Sequence, residues 1–347
     1  MSNNLEKSKI KCVVWDLDDT LWEGILIEND EIKLNKAIVD IIKTLDQRGI
    51  LNSIASRNNY EIAQQKLKDF KLWEYFVYPE ISWNNKSISI KKIAENLNIG
   101  VETFAFIDDQ IFEREEVKFS FPNINTFSPE EIVNFINDQI FIPSYITNET
   151  VLRRYYYQTD IERKKQEEVY IGSNLDFMKS LSLKLNIKRA SEEDLQRAEE
   201  LTIRTHQLNT TGITYSYSEL YEFMNSNEYS LYVCSLEDKY GSYGTIGLAL
   251  VEEKKESWKI KLLLMSCRVI SRNAGHAFIG ALIELTKKIN VKLQTDFIQN
   301  DKNRQMYITY KFIGFHEIYR HDCYSLLELR EDSSFQIPSY IEVKYLL

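Results

Sequence analysis

The chain has 347 residues, of which 44% are hydrophobic and 27% are charged. This length and composition predict two globular domains, each with a core of its own. The formal net charge of −9 argues against nucleic acid as a partner, because phosphate backbones are bound by clustered Lys and Arg. A phosphorylated metabolite needs only a local basic pocket, so that class of ligand stays open.

The first residues and the cysteines predict a cytoplasmic protein that does not enter the membrane. The opening MSNNLEKSKIKC lacks the apolar stretch of a signal peptide. No run reaches the roughly 18 apolar residues of a membrane-spanning helix. The four cysteines are far apart and form no CxxC pair, which favours free thiols in a reducing compartment.

Strands and helices alternate in the N-terminal half. This alternation predicts an α/β fold with a doubly wound parallel sheet, whose ligands bind at the carboxyl ends of the strands. Strands are predicted at 10–18, 50–55, 74–82 and 103–107, and helices at 36–48, 60–70 and 89–97.

A boundary is predicted near residues 141–150, followed by a charged, Tyr-rich helix at 153–169. The pattern then restarts in the manner of an α+β domain. We therefore predict a first domain at 1–142, a helical linker at 143–182 and a second domain at 183–347. In the second domain, strands are predicted at 183–188, 229–235, 245–252, 258–265 and 291–296, and helices opening near Ser191, Ser218 and Gly275.

The run DLDDT at residues 16–20 follows the first predicted strand. In a loop that leaves a strand, residues i and i+2 can face one pocket. Asp16 can then act as a nucleophile towards phosphorus, and Asp18 can protonate the leaving oxygen and later activate water. This spacing suits an aspartyl-phosphate mechanism, although a single acidic loop is as often only a solvated one.

Further groups suited to phosphoryl transfer follow in chain order. Ser56 ends the second strand and can hold phosphoryl oxygens, and Lys86 can neutralise the transferring group. Asp108 and Asp109 follow a later strand and can complete an oxygen-only Mg²⁺ site with Asp16 and the carbonyl of Asp18. The residues after Ser56 are also predicted to bind phosphate; they are Arg57 and Asn58.

DLDDT, SRN after a strand, a lone Lys and FIDD after a strand resemble the four motifs of the haloacid-dehalogenase (HAD) superfamily, in order, over residues 10–130. The resemblance implies a Mg²⁺-dependent phosphoryl-transfer domain. Only about 30 residues separate Ser56 from Lys86, and few follow Thr20 before the next helix. Neither gap holds a large cap domain, so a bulky substrate or a separate lid is expected.

Two runs in the second half are candidates for a second site. RTHQLNTT at 204–211 is densely polar, which suits either a small polar ligand or an ordinary helix-ending loop. MSCRVISRNAGHA at 265–277 leads from a strand into a helix and resembles the N-acetyltransferase (GNAT) fold, in which such a loop binds a pantetheine phosphate. Arg272 and Gly275 fit that resemblance, whereas Asn273 stands where the fold usually has Gly.

Cys267 is a candidate nucleophile because it adjoins Arg268, and a guanidinium can lower the pKa of a thiol. The alternative is a small buried hydrophobe, which most lone cysteines are.

Taken together, the two halves resemble the FkbH-like family of polyketide biosynthesis over roughly residues 10–320, including Trp22 and Gly24 after the first motif. The resemblance implies transfer of a D-glyceryl unit from D-1,3-bisphosphoglycerate to the phosphopantetheine thiol of an acyl carrier protein, with loss of phosphate. It implies a catalytic Cys267, with the following groups binding the acyl unit or the phosphopantetheine: His206, Gln207, Asn209, Arg268, Arg272 and Gly275.

The chain departs from the family at Ala55 and Arg57, where the family has Cys and Lys. If the family's acyl-carrying thiol is the cysteine replaced by Ala55, this chain cannot use it; if it is the one matching Cys267, the chemistry is retained, and we favour Cys267. Two other functions stay open: a plain phosphatase with the second domain as its lid, and a second domain that only docks a carrier. A related acyl group such as lactyl is a further alternative.

Overall fold

The computed structural model describes residues 9–28, 32–143 and 145–346. The chain divides into two compact units, residues 1–162 and 163–347. The domain limits at 142 and 183 stay a prediction, as does the cytoplasmic location. Within the described ranges, every helix is too short or too polar to cross a membrane.

Unit 1 is built on a five-stranded sheet in which every pair of neighbours is parallel, in the order β5-β4-β1-β6-β7. A short β2–β3 hairpin lies outside this sheet. The strands are β1 (Cys12–Trp15), β2 (Trp22–Glu23), β3 (Lys33–Leu34), β4 (Leu51–Ser56), β5 (Glu80–Ile81), β6 (Phe104–Ile107) and β7 (Asn125–Phe127).

Helices cover both faces of this sheet, which confirms the doubly wound prediction. Side chains of β1 alternate between two cores: Val13 and Trp15 pack with α1, α2 and α5, whereas Cys12 and Val14 pack with α3 and α4. The helices of the unit are α1 (Lys36–Gln47), α2 (Tyr60–Asp69), α3 (Lys86–Leu97), α4 (Ile111–Ser120), α5 (Pro129–Phe135) and α6 (Asn148–Val151). Helix α7 (Arg153–Val169) continues into unit 2.

The predicted strand at 74–82 is wrong over most of its length. A 3₁₀ helix forms at Trp73–Tyr75, Phe76 makes an isolated parallel bridge to Asn52, and the strand itself is limited to Glu80–Ile81 beside the end of β4. Tyr78, between them, has a positive φ of 49°, which breaks an extended chain.

Unit 2 contains an eight-stranded sheet in the order β13-β14-β12-β11-β10-β9-β8-β15. Most neighbours are antiparallel, but β11 with β12 and β8 with β15 are parallel. An α+β second domain is thereby confirmed. The strands are β8 (Leu183–Arg189), β9 (Tyr229–Asp238), β10 (Gly241–Glu253), β11 (Ser257–Met265), β12 (Lys292–Ile298), β13 (Phe315–His321), β14 (Tyr324–Leu329) and β15 (Ile341–Leu346).

Helices pack on both faces of this sheet, and one predicted helix start needs correction. Helix α10 is capped by Ser216 rather than Ser218, because Ser216 has Glu219 three residues on and forms a capping box with it. The helices are α8 (Asn174–Ser180), α9 (Glu192–Arg204), α10 (Tyr217–Met224), α11 (Ala274–Lys288) and α12 (Arg304–Ile313).

Part of the polar run RTHQLNTT (204–211) lies between β11 and β12. The parallel pairing of these strands stops at Ile260 and Thr295. Beyond that point Thr210 bridges the gap: its N–H donates to the Leu263 carbonyl, and its carbonyl accepts from Ile298 N–H, both at 3.0 Å. Asn209 forms an antiparallel bridge to β11. The residues at 208–210 therefore act as a short inserted strand.

Candidate active sites

The candidate phosphoryl-transfer groups of unit 1 meet at one edge of its sheet. Asp16 follows β1, Ser56 ends β4, and Asp108 with Asp109 follow β6. Because these strands are parallel neighbours, their carboxyl ends lie side by side. Lys86, the first residue of α3, joins them from the loop after β5.

Three carboxylates form the centre of this site. One oxygen each of Asp16, Asp108 and Asp109 lies within 4.8 Å of the others. Oδ1 of Asp109 is buried and accepts no hydrogen bond from any described residue. Buried carboxylate oxygens without donors fit a hard cation such as Mg²⁺, so these three residues would hold it.

Lys86 supplies positive charge to the same centre. Its ammonium contacts a carboxylate oxygen of Asp16, lies 3.0 Å from Asp108 Oδ2 and donates to the Ala55 carbonyl at 2.9 Å. Burial lowers the pKa of Lys86, but the charges of Asp16 and Asp108 outweigh burial and raise that pKa overall. Lys86 is therefore a fixed cation rather than a base at neutral pH.

The pKa values of these carboxylates are also shifted. Burial, and then the charge of Asp16, raises the pKa of Asp108 to about 7, against the opposing effect of Lys86. Burial followed by the charge of Asp16 also raises the pKa of Asp109. This much negative charge at one buried point is the kind of cluster that a divalent cation neutralises.

Asp18 is held in a fixed orientation. Its Oδ1 accepts from the Trp22 indole at 2.8 Å and from Leu26 N–H at 3.2 Å, and its Oδ2 accepts from the Asn58 side-chain amide at 3.0 Å. Burial raises the pKa of Asp18, and the hydrogen bonds from Trp22 and Leu26 only partly oppose it. A raised pKa suits a group that must first donate a proton.

The predicted phosphate-binding residues differ in their surroundings. Ser56 is 3% exposed and lies where β4 ends. Asn58 is buried and donates to Asp18, so it supports the orientation of the Asp18 carboxylate. Arg57 is held beside the site by Glu113 at 2.9 Å and by Asn85 Oδ1 at 3.1 Å. Contact of these groups with phosphate stays a prediction.

Some supporting residues were missed in the sequence. The Thr20 hydroxyl accepts from Asp109 N–H at 3.2 Å and so joins the loops after β1 and β6. Glu113 and Glu116 on α4 contact Arg57 and Ser87. The sequence gives one indication of this role: the two glutamates are three residues apart on the helix that follows FIDD. The same spacing is found on a solvated acidic helix face, so it does not distinguish the two cases.

In unit 2, Cys267 is half-buried and opens a 3₁₀ helix (Cys267–Arg272) rather than an irregular loop. Arg268 is the next residue of this 3₁₀ helix, Arg272 is its last residue, and α11 begins at Ala274. Cys12 and Cys234 are fully buried, and burial raises the pKa of both thiols. Cys267 and the exposed Cys323 are the cysteines with access to solvent.

Arg272 does not face an open pocket. It is 2% exposed, its Nη1 lies 3.1 Å from Glu167 and its guanidinium packs over the Phe177 ring. This burial speaks against the predicted phosphate contact, because the buried guanidinium would first have to leave its ion pair with the partly exposed Glu167. Arg268 and Gly275 are half-buried, so each retains some exposed surface with which to bind the predicted ligand.

Asn273, which stands where the GNAT fold usually has Gly, adopts a positive φ of 54°. Asn is among the residues that tolerate this left-handed conformation. Its amide donates to the Tyr340 hydroxyl at 2.6 Å. Asn273 therefore adopts the left-handed conformation at the start of α11 without a glycine.

The polar run at 204–211 separates into exposed and structural residues. His206 and Gln207 are exposed. Asn209 is 1% exposed, and its side chain accepts from Thr211 and Gly212 N–H and donates to the Thr205 carbonyl. The side chain of Asn209 is therefore already used to hold this turn, and it would have to give up these hydrogen bonds to bind a ligand as predicted.

No protein-family model matches the chain. Magnesium-dependent phosphatase 1 from Homo sapiens is 27% identical in an alignment of 119 residues, covering 29% of this chain and 68% of that protein. The N-terminal part of a Bacteroides fragilis protein, solved with Mg and containing a phosphatase domain, is 26% identical with a TM-score of 0.34. That match covers 40% of this chain and 41% of the other.

For the second half, the ribosomal-protein-S18-alanine N-acetyltransferase from Escherichia coli is 16% identical with a TM-score of 0.34, covering 44% of this chain and 99% of its own. The predictions of an enzyme and of Mg²⁺ as its cofactor agree with the human relative.

Proposed function

We propose that unit 1 is a Mg²⁺-dependent phosphatase in which Asp16 accepts the phosphoryl group. The observation that carries the proposal is the buried cluster of Asp16, Asp108 and Asp109 with the Lys86 ammonium against two of them. A fixed cation beside a nucleophilic carboxylate lowers the electrostatic cost of bringing in a phosphate. The human relative, a magnesium-dependent phosphatase by name, supports the same chemistry.

In the proposed reaction, a carboxylate oxygen of Asp16 attacks phosphorus and the bond to the leaving oxygen breaks. Asp18 gives its proton to that oxygen, in keeping with its raised pKa. Asp18 then takes a proton from water, which attacks phosphorus and frees Asp16 and inorganic phosphate. Lys86 stays protonated and balances the charge. Mg²⁺, when bound, would supply further positive charge against the phosphoryl oxygens.

For unit 2 we propose acyl transfer of the FkbH-like type, from D-1,3-bisphosphoglycerate to a carrier protein. The Cys267 thiolate attacks C1 of the acyl phosphate, the bond from carbon to the phosphate oxygen breaks, and inorganic phosphate leaves. The phosphopantetheine thiol of the carrier then attacks the resulting thioester and frees Cys267. Unit 1 hydrolyses the remaining ester phosphate.

The exposure of several predicted residues of unit 2 supports this proposal. Arg268 and Gly275 would hold phosphate near the start of α11, and the exposed His206 and Gln207 would contact the glyceryl hydroxyls. Arg272 and Asn209 are assigned supporting positions, because both are buried and hydrogen-bonded within the unit.

The test combines the protein with Mg²⁺, D-1,3-bisphosphoglycerate formed in situ and a phosphopantetheinylated carrier protein, followed by intact mass measurement of both proteins. A glyceryl adduct on the carrier is expected, and it should be lost in Asp16→Asn and in Cys267→Ala. Cys323→Ala is the matched control, because it removes an exposed thiol from the turn between β13 and β14 and should leave the adduct unchanged.

A plain phosphatase is the second candidate, and the burial of Arg272 and Asn209 is the observation that favours it. It predicts phosphate release without the carrier and no effect of Cys267→Ala. Release of phosphate with an unmodified carrier would therefore leave the phosphatase and remove the acyl transfer.

A further inference from the structure

The start of α3, which carries Lys86, is held from outside its own helix. Asn85 occupies the N-cap position but makes no side-chain capping bond to the helix. Its Oδ1 instead accepts from Arg57 Nη2 at 3.1 Å, and the Arg57 Nε donates to the Asn84 carbonyl at 3.4 Å. A helix start without its usual cap needs another source of order.

Helix α4 provides that order through two glutamates. Glu116 accepts from Ser87 N–H at 3.2 Å and from the Ser87 hydroxyl. Glu113 lies 2.9 Å from Arg57 Nη1, and so holds the residue that binds Asn85. The two glutamates are three residues apart, which places them on one side of the helix.

Burial distinguishes this arrangement from a solvated acidic face. The Glu113 side chain is 6% exposed, and its Oε2 is buried without a hydrogen-bond donor among the described residues. A buried carboxylate in this state is costly, and folding retains it only where the surrounding contacts compensate. Glu115, between the two, is exposed.

The position of α4 gives the contacts a consequence for the site. Asp108 and Asp109 lie just before this helix, and Arg114 fixes their carbonyls, at 2.5 Å and 2.9 Å from its Nη1. Helix α4, which follows the two carboxylates, therefore also contacts the start of α3, which carries Lys86.

We infer that Glu113 and Glu116 are positioning residues that place Lys86 against Asp16 and Asp108 for phosphoryl transfer. The inference rests on the proposed phosphatase function of unit 1. Glu116 acts through Ser87, and Glu113 acts through Arg57 and Asn85.

The test uses Glu113→Gln, Glu116→Gln and the double variant, with Glu115→Gln as the matched control on the same helix. Each amide replaces one acceptor oxygen and removes the charge. Turnover of p-nitrophenyl phosphate with Mg²⁺ and inhibition by orthovanadate are measured with the melting temperature. We expect kcat to fall about tenfold to hundredfold in the double variant, since small misplacements of a catalytic group cost this much.

The orthovanadate inhibition constant should rise by a similar factor, while Glu115→Gln stays within about twofold of the wild type. A loss of activity that only follows the folded fraction would overturn the inference, as would unchanged kcat and orthovanadate inhibition. A crystal structure of the double variant provides a readout independent of turnover: Lys86 should leave its place 3.0 Å from Asp108. Retention of that distance would contradict the inference.

If the wild type is inactive, the proposed phosphatase function is refuted instead. The crystal structure of the double variant would still show whether the glutamates position Lys86.

Discussion

The side-chain amide of Asn58 donates to Asp18 Oδ2 at 3.0 Å, which ties the loop after β4 to the proposed acid/base carboxylate after β1. We expect Asn58→Ala to lower kcat about tenfold to hundredfold, because Asp18 would lose the donor that orients it. KM should change less, since the amide is directed at Asp18. Steady-state kinetics with a phosphate monoester and Mg²⁺ measures both constants.

Asn59→Ala provides the control for this prediction. Asn59 caps α2 by accepting from Ile62 N–H at 3.0 Å, so its loss should cost about 1 kcal/mol of stability. Activity per folded molecule should stay near that of the wild type. Equal effects of the two substitutions on kcat would contradict a specific role for Asn58.

Replacement of the buried cation separates turnover from metal binding. Lys86→Met leaves Asp16 and Asp108 without their ammonium partner, so kcat should fall by at least about a hundredfold. The same change removes a positive charge that competes with Mg²⁺ for the carboxylates. Mg²⁺ should therefore raise the melting temperature of Lys86→Met more than that of the wild type. A smaller Mg²⁺-induced rise would refute this picture.

The thiols should react in an order set by burial. Cys323 is exposed and Cys267 half-buried, whereas Cys12 and Cys234 are buried with raised pKa values. A thiol reagent such as DTNB should label Cys323 rapidly and Cys267 more slowly in the folded protein, and all four only after unfolding. Mass spectrometry of the digested protein identifies the sites. Labelling of Cys12 before unfolding would show that the core is not as described.

Two glycines of unit 2 should respond differently to a methyl group. A Cβ on Gly247 would lie 2.5 Å from Met265 Sδ and 2.6 Å from Cys234 Sγ, so Gly247→Ala should cost about 1–3 kcal/mol. A Cβ on Gly275 would meet only Met265 Cγ, at 3.4 Å. Gly275→Ala should be tolerated or slightly stabilising, because it lies in the first turn of α11. Denaturant melts compare the two.

Mild acid should destabilise unit 2 through His276. Burial lowers the pKa of His276, so the unfolded chain takes up its proton more readily than the folded protein. The stability from the neutral ring is present above about pH 6.5, the ordinary value, and is lost as pH falls below it. The melting temperature of the wild type should drop more between pH 7.5 and 5.5 than that of His276→Phe, which retains the packing on Phe335. His321→Gln, at an exposed position, should behave as the wild type.

The sequence was sufficient to predict that the candidate groups of unit 1 lie together, because local patterns and parallel topology determine their positions jointly. The runs around Asp16, Ser56 and Asp108 each follow an apolar strand, and parallel strands place such ends at one edge. The N-cap of α10 could also have been predicted as Ser216, since Ser216 precedes Glu219 by the three residues of a capping box, whereas Ser218 does not.

The surroundings of the polar run could not be read in the same way. RTHQLNTT has the composition of a ligand-binding loop, but Asn209 and Thr210 pair with strands more than 50 residues away. Pairing over such distances leaves no periodic signal in the run itself. The burial of Arg272 likewise depends on Glu167, far off in the sequence.

The pairing of β15 with β8 has a consequence for synthesis on the ribosome. Leu183 pairs with Ile341 and Lys188 with Leu346, in parallel, so this edge of the sheet joins segments about 158 residues apart. Unit 1 can assemble its five strands while the rest of the chain is still being made, because all of them lie before residue 128. Until residues 341–346 emerge, β8 offers an open edge with Leu183, Leu185 and Ile187 on its buried side. The second unit therefore passes through a late, aggregation-prone interval that the first unit avoids.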